Sequence, residues 1–128
     1  MAADSEGSAR RKVGLEKIKQ VYAGDVPTPP AGSSAFVDIM LETLFAEVWT
    51  RDVLSMRDRR LLLLGAIAAQ GEQMTFSIQA KAAIKNAELT PEQLREVLVF
   101  LVHYVGYPRA AGLIGSVEKA IQEGTAEV

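Results

Sequence analysis

Thr90, Pro91 and Gln93 set a capping hydroxyl, a proline and an amide at the positions where a helix start uses them. Behind them Leu94, Val97, Leu98, Leu101, Val102 and Val105 recur at offsets of 0, 3, 4, 7, 8 and 11, which is one face of a helix. No segment of the chain alternates apolar and polar residues with strand period. The fold class this dictates is all-α. About six helices account for the pattern.

The remaining helices are read the same way. Ala9 to Val21 carries Val13, Ile18 and Val21 among basic residues, and Gly24 with Pro27, Pro29 and Pro30 ends it in an extended linker. Ser33 or Ser34 caps a second helix running to near Trp49. Its expected buried stripe is Phe36, Met40, Leu44 and Val48, widened by Val37, Leu41 and Phe45. Ser55 and Asp58 open a third helix through RRLLLLGAIAA, apolar all round and so expected to be the buried centre. Gly71 breaks it, a fourth spans Met74 to Asn86, and a last covers roughly Ala110 to Gln122. Residues 1–8 are expected to form a mobile tail and residues 9–128 one domain, as befits 128 residues.

Bulk properties exclude several function classes. Fourteen basic against 16 acidic residues give a net charge of −2 with no basic block, which argues against a nucleic-acid partner. The longest apolar run, Leu61 to Ala69, is far below the ~20 residues that cross a bilayer. No secretory signal opens the chain, so a cytoplasmic location is the expectation. The absence of cysteine removes disulfides, thiolate metal sites and any thiol nucleophile. A single histidine and carboxylates without ligand spacing make a metal site unexpected.

Three clusters can carry chemistry. The fifth helix bears a second stripe, Glu96, Val99, Phe100, His103 and Tyr107, so that helix is either sandwiched in the core or offers this face to a ligand or another subunit. His103 is the one side chain here that titrates near neutrality unaided. Glu47, Trp49, Arg51, Arg57, Arg59 and Arg60 crowd a helix junction, where arginine forks suit carboxylates but a solvated, salt-bridged turn is the blander reading. Glu72, Thr75 and Gln79 form a polar line on the fourth helix that by itself reads as an exposed face.

Together, GLEKIKQVYAGD (14–25), FAEVWTRDVL (45–54), RDRRLLLLGAIAA (57–69) and LTPEQLREVLVFLVHYVGYPRAA (89–111) resemble the carboxymuconolactone decarboxylase family over residues 11–123. Its Glu-x-Trp-x-Arg element is matched by Glu47, Trp49 and Arg51, and its Tyr-x-Gly-x-Pro turn by Tyr104, Gly106 and Pro108. The resemblance implies helices around a central hairpin and assembly as a homo-oligomer, a trimer or hexamer. It implies cofactor-free loss of carbon dioxide from a small anionic lactone of aromatic-acid breakdown. Arg51 and Arg59 match family arginines and are the expected grips for substrate carboxylates, beside Glu47, Trp49 and Tyr104.

The departures are as informative. Where the family's decarboxylases carry an acidic residue and a histidine four apart, this chain has Thr75 and Gln79, neither of which exchanges a proton at neutral pH. The superfamily's CxxC pair is missing, which closes the thiol-peroxidase route. His103 and Glu72 are the two groups left to move a proton. The expectation is a lyase or isomerase in which Gln79 and Thr75 orient a small unsaturated acid or lactone and Gln79 shares a hollow with His103. The alternative is a silent relative that binds a ligand or serves as a scaffold.

Overall fold

The computed structural model describes residues 6–127 and gathers them into two compact units, Met1–Leu54 and Ser55–Val128. Among the described residues there is no strand. All-α holds, and among the described residues no helix is long and apolar enough to cross a membrane. Residues 1–5 of the expected tail lie outside the described residues. Ser8, at its other end, caps the first helix by accepting the Arg11 N–H at 3.1 Å.

In the first unit α1 (Ala9–Val21) packs against a helix that begins as α2 (Ala35–Met40) and continues as a π-helical segment, Leu41–Val48. Leu15, Ile18 and Val21 of α1 are buried, with Leu41, Phe45 and Trp49. This corrects the expected stripe: Phe36 is 80% exposed, and Leu44 and Val48 are also open to solvent. The π-helix bonds residue i to i+5 rather than i+4, so its turn is wider and side chains four apart stay in line. Phe45 and Trp49 therefore stack, centroids 6.3 Å apart and planes within 4°, while Tyr22 of α1 tilts onto Phe45 at 6.0 Å. The close approach requires Gly14, because a Cβ there would collide with the Leu41 carbonyl.

Arg11, almost wholly buried, pins this unit's linker. Its guanidinium donates to the Glu6 and Pro29 carbonyls and to Asp38 Oδ1, each at 2.8 Å. Asp38 Oδ2 accepts the Gly32 N–H at 3.0 Å. The Arg11 bond first, and then that N–H, hold the Asp38 carboxyl below its ordinary value of 3.8. A carboxyl depressed by folding contributes stability above its unfolded pKa and loses it as pH falls through the folded one. Thermal melts are thus expected to weaken as pH is lowered past about 4, with Asp38→Asn flattening part of that slope. A slope identical in the variant would remove this role from Asp38.

The second unit holds α3 (Met56–Gln70), α4 (Gln73–Lys85), α5 (Pro91–Val105), the five-residue α6 (Tyr107–Ala111) and α7 (Ile114–Ala126). Ser55 caps α3 by accepting the Asp58 N–H at 3.0 Å, and Gly71, at φ 67°, ends it in the left-handed conformation that favours glycine. The Thr90–Gln93 capping box forms in full. Helix α4 packs against α7 and α3, and the shared core runs through Leu64, Phe76, Ile84, Leu94, Leu98, Leu113 and Val117. Burying side chains of that size contributes about 1.5–3 kcal/mol each, against the entropy of ordering them.

Two expectations fail in this unit. The third helix is not the buried centre: α3 buries only Arg60, Leu64 and Ala68, and Leu62 is 65% exposed. Leu61 and Ile67 lie at the edge of the core and are only partly buried. The last helix also begins later than expected, at Ile114 and not near Ala110, because Gly106 (φ 93°) lets Tyr107 and Pro108 start the separate turn α6 before α7.

Candidate functional site

Each residue singled out from the sequence has a definite place. In the first unit Glu47 is exposed and ion-paired with Arg10, Trp49 is buried on Phe45, and Arg51 is exposed after the π-helical segment. In the second, Arg59 is half-buried on α3 and Tyr104 is 80% exposed, its ring 5.4 Å from that of Phe100.

Glu72 and Thr75 come together at the start of α4, in a capping role. The Glu72 carboxylate accepts the Met74 N–H at 3.2 Å and the Thr75 N–H at 2.8 Å, and the Thr75 hydroxyl donates to Oε2. Thr75, through its hydroxyl and then its N–H, holds the Glu72 carboxyl below its usual value, with Met74 adding to this. A carboxylate stabilised in this way is a weakened base and stays ionised at neutral pH.

Gln79 is no exposed face. It is 4% exposed, and its Oε1 accepts from Arg60, a fully buried arginine. Arg60 also makes a forked pair with Glu88, Nε to Oε1 at 2.9 Å and Nη2 to Oε2 at 3.2 Å. The network joins α3, α4 and the α4–α5 loop, and among the described residues no buried polar side-chain atom lacks a hydrogen-bond partner. Arg60 escaped the sequence reading because it sat in an arginine cluster. The available signal was its line with Leu64 and Ala68 at four-residue spacing, the line that α3 buries.

His103 lies elsewhere. It lines a hollow of about 380 Å³ between α5, α6 and α7, walled by Leu98, Val99, Val102, Ala110, Ile114 and Val117. Gln79 does not reach this hollow, so the structure does not bring Gln79 and His103 together there. The second stripe of α5 is not sandwiched: Val99, Phe100 and, just beyond the helix, Tyr107 are more than half exposed, as is the neighbouring Tyr104. His103 Nδ1 lies 2.9 Å from the Val99 carbonyl. A carbonyl only accepts, so Nδ1 carries the hydrogen and Nε2 is the basic nitrogen of the neutral ring. Among the described residues neither Nε2 nor the Tyr107 hydroxyl, which shares this wall, has a hydrogen-bond partner.

At the other end of the wall Arg95 forms a forked pair with Glu118, at 3.0 and 2.9 Å. The hollow thus has apolar sides, one neutralised ion pair and one basic imidazole beside a phenol. Its size falls within the ~300–1,000 Å³ of small-molecule sites. That arrangement can bind a small organic molecule and exchange one proton with it.

No solved structure gives a significant match. The chain is similar to a nitrosuccinic acid decarboxylase of Metarhizium robertsii, 26% identical over 120 residues that cover 92% of this chain and 80% of that protein. Residues 34–119, which contain π-segment, capped α4 and His103, match the family model described as Carboxymuconolactone decarboxylase family. The chain belongs to the carboxymuconolactone decarboxylase family.

Proposed function

We propose that this protein is a cofactor-free decarboxylase of a small carboxylic acid, and that His103 is its proton-transferring residue. The observation that carries the reading is the unpartnered, correctly oriented tautomer of His103 on the wall of an apolar hollow. A decarboxylase-like activity is supported by the family and by the nitrosuccinic acid decarboxylase relative.

A nitro, carbonyl or unsaturated lactone group beside the departing carboxylate accepts the electron pair when the carbon–carbon bond breaks. Chemistry of this kind needs no base to start it. It needs the carboxylate held, and a proton delivered afterwards to the carbon that lost carbon dioxide. Protonated His103 has both ring N–H groups: Nδ1–H stays on the Val99 carbonyl and Nε2–H faces the substrate anion. Carbon dioxide leaves as the electrons of the breaking carbon–carbon bond move onto that sink, the Nε2 proton then passes to the carbon, and the neutral ring is reprotonated from solvent. The Tyr107 hydroxyl is placed to donate to the oxygen on which charge develops. Because Glu72 and Gln79 are engaged in capping and in the Arg60 network, the loss of the family's acid and histidine on α4 is tolerated by a substrate with its own electron sink.

Arg51, with Glu47 and Trp49, in the first unit, and Arg59, with Tyr104, in the second, stand in this reading as candidate grips for anionic groups, each within its own unit. The exposed apolar side chains Val99, Phe100 and Tyr104 support a homo-oligomer, readable by sedimentation. A second reading, a silent ligand-binding relative, is favoured by one observation: Glu72, one of the two proton-moving candidates, is tied up in capping, and Gln79, expected to orient the substrate, is held by Arg60. A panel of nitro, β-keto and lactone acids, followed by carbon dioxide release and ultraviolet loss of the substrate band, separates the two. Turnover above the uncatalysed rate is expected for at least one acid. Binding without turnover across the panel selects the silent relative.

A further inference from the structure

A second hollow, of about 460 Å³, lies between the start of α3, the α4–α5 loop and α5, and shares no residue with that of His103. Its apolar lining is the buried Leu89, with Leu61, Val97 and Leu101 partly buried beside it. Three polar side chains line it as well: Arg57, Gln93 and Glu96.

Arg57 and Gln93 are each anchored through one atom and open at the other. Arg57 Nε donates to the Glu88 carbonyl at 2.9 Å, and among the described residues its two Nη groups have no partner. Gln93 Oε1 accepts the Thr90 N–H at 3.0 Å in the capping box, so the side-chain NH2 is the end left to donate. Glu96 has neither a hydrogen bond nor an ion pair among the described residues. The hollow therefore carries one cation and one anion that do not neutralise each other, and two donors already held in place.

Gln93 and Glu96 are three residues apart on α5, which puts them on one side of the helix with Cβ atoms about 5–6 Å apart. That spacing suits the two charged ends of an α-amino acid. Its carboxylate accepts from the Arg57 Nη and Gln93 N–H groups, and its ammonium donates to the Glu96 carboxylate. Val97 and Leu101 extend the line of Gln93 at four-residue spacing, so an apolar side chain laid along it displaces water from them and from Leu61. Donors fixed before binding lose less freedom on binding. A simple acid leaves Glu96 unmatched and is repelled by it, and a simple amine meets the same penalty at Arg57.

We infer that this hollow is a second binding site, separate from the one at His103, and that it takes a zwitterionic α-amino acid with an apolar side chain. Amide nitrogen–proton NMR of the full chain tests this with L-leucine, 4-methylpentanoate, which lacks the ammonium, and 3-methylbutylamine, which lacks the carboxylate. Leucine is expected to move the Arg57, Gln93, Glu96 and Val97 amides and to saturate at about millimolar concentration, since its partners are exposed. Each truncated probe is expected to bind at least about fivefold more weakly. Glu96→Gln should bring leucine down to the level of 4-methylpentanoate, and Glu96→Lys, a charge reversal at the same exposed position, should make 4-methylpentanoate the tighter of the two. Leucine that leaves these amides unmoved, shifts that gather at Val102 and Ile114 instead, or a preference for leucine that survives both Glu96 variants would each overturn the inference. So would the same amides shifting on concentration of the protein alone with leucine then without effect, because a second copy would fill the hollow.

Discussion

Replacing Arg60 by alanine is expected to cost about 3–5 kcal/mol of stability, the toll of breaking a buried ion pair from one side. The side chain is fully buried, and its removal leaves the Glu88 carboxylate, only 7% exposed, without its counter-ion and Gln79 Oε1 without its donor. The large hole left behind adds a packing loss. Changing both charges together, Arg60→Met with Glu88→Leu, should cost less than either single change, because no uncompensated charge remains. Urea unfolding of the three variants reads this directly. A loss under about 1 kcal/mol for Arg60→Ala would mean that water reaches the network, and that Gln79 is available for other work.

The second large effect belongs to His103. Glutamine at this position keeps a hydrogen-bonding amide but cannot carry a proton, so His103→Gln is expected to lower kcat by about 10²–10⁴-fold, the usual scale of general acid–base help. The KM should change by only a few fold, since the apolar wall that binds the ligand body is untouched. Stability is expected to move within about 0.5 kcal/mol, because the ring is exposed. Equal kcat in the variant would return proton transfer to a group outside the hollow.

Much of the fold was legible, and for local reasons. Helix α1 has the bounds Ala9–Val21 that its apolar spacing predicts, and the Thr90–Gln93 box starts α5 where a hydroxyl, proline and amide say it must. The π-helical segment misled because a 3.6-residue period picks out Phe36, Met40, Leu44 and Val48. The wider turn buries Leu41 and Phe45, from the edge of the expected stripe, together with Trp49. A strict recurrence of four, without the usual alternation of three and four, was the trace it left in the sequence.

The site was legible only by halves. Val99, His103 and Tyr107 fall on one stripe of the sequence and do share a wall. Gln79 looked exposed because its partner Arg60 is 19 residues away, and only the packing of α3 on α4 makes them neighbours. The Arg95–Glu118 pair spans 23 residues across α5 and α7, and nothing local to either residue announces it. Glu72 was read as a proton carrier, and its spacing to Thr75 equally well describes the capping bond that the structure shows.

Because His103 is the only histidine, its ring nitrogens give unambiguous signals in nitrogen–proton NMR. The account predicts a neutral ring protonated at Nδ1, with the Nε2 resonance alone shifting strongly as cyclohexanecarboxylate is added. A ring protonated at Nε2 in its neutral form, or an Nε2 signal that stays still while the acid demonstrably binds, would contradict it.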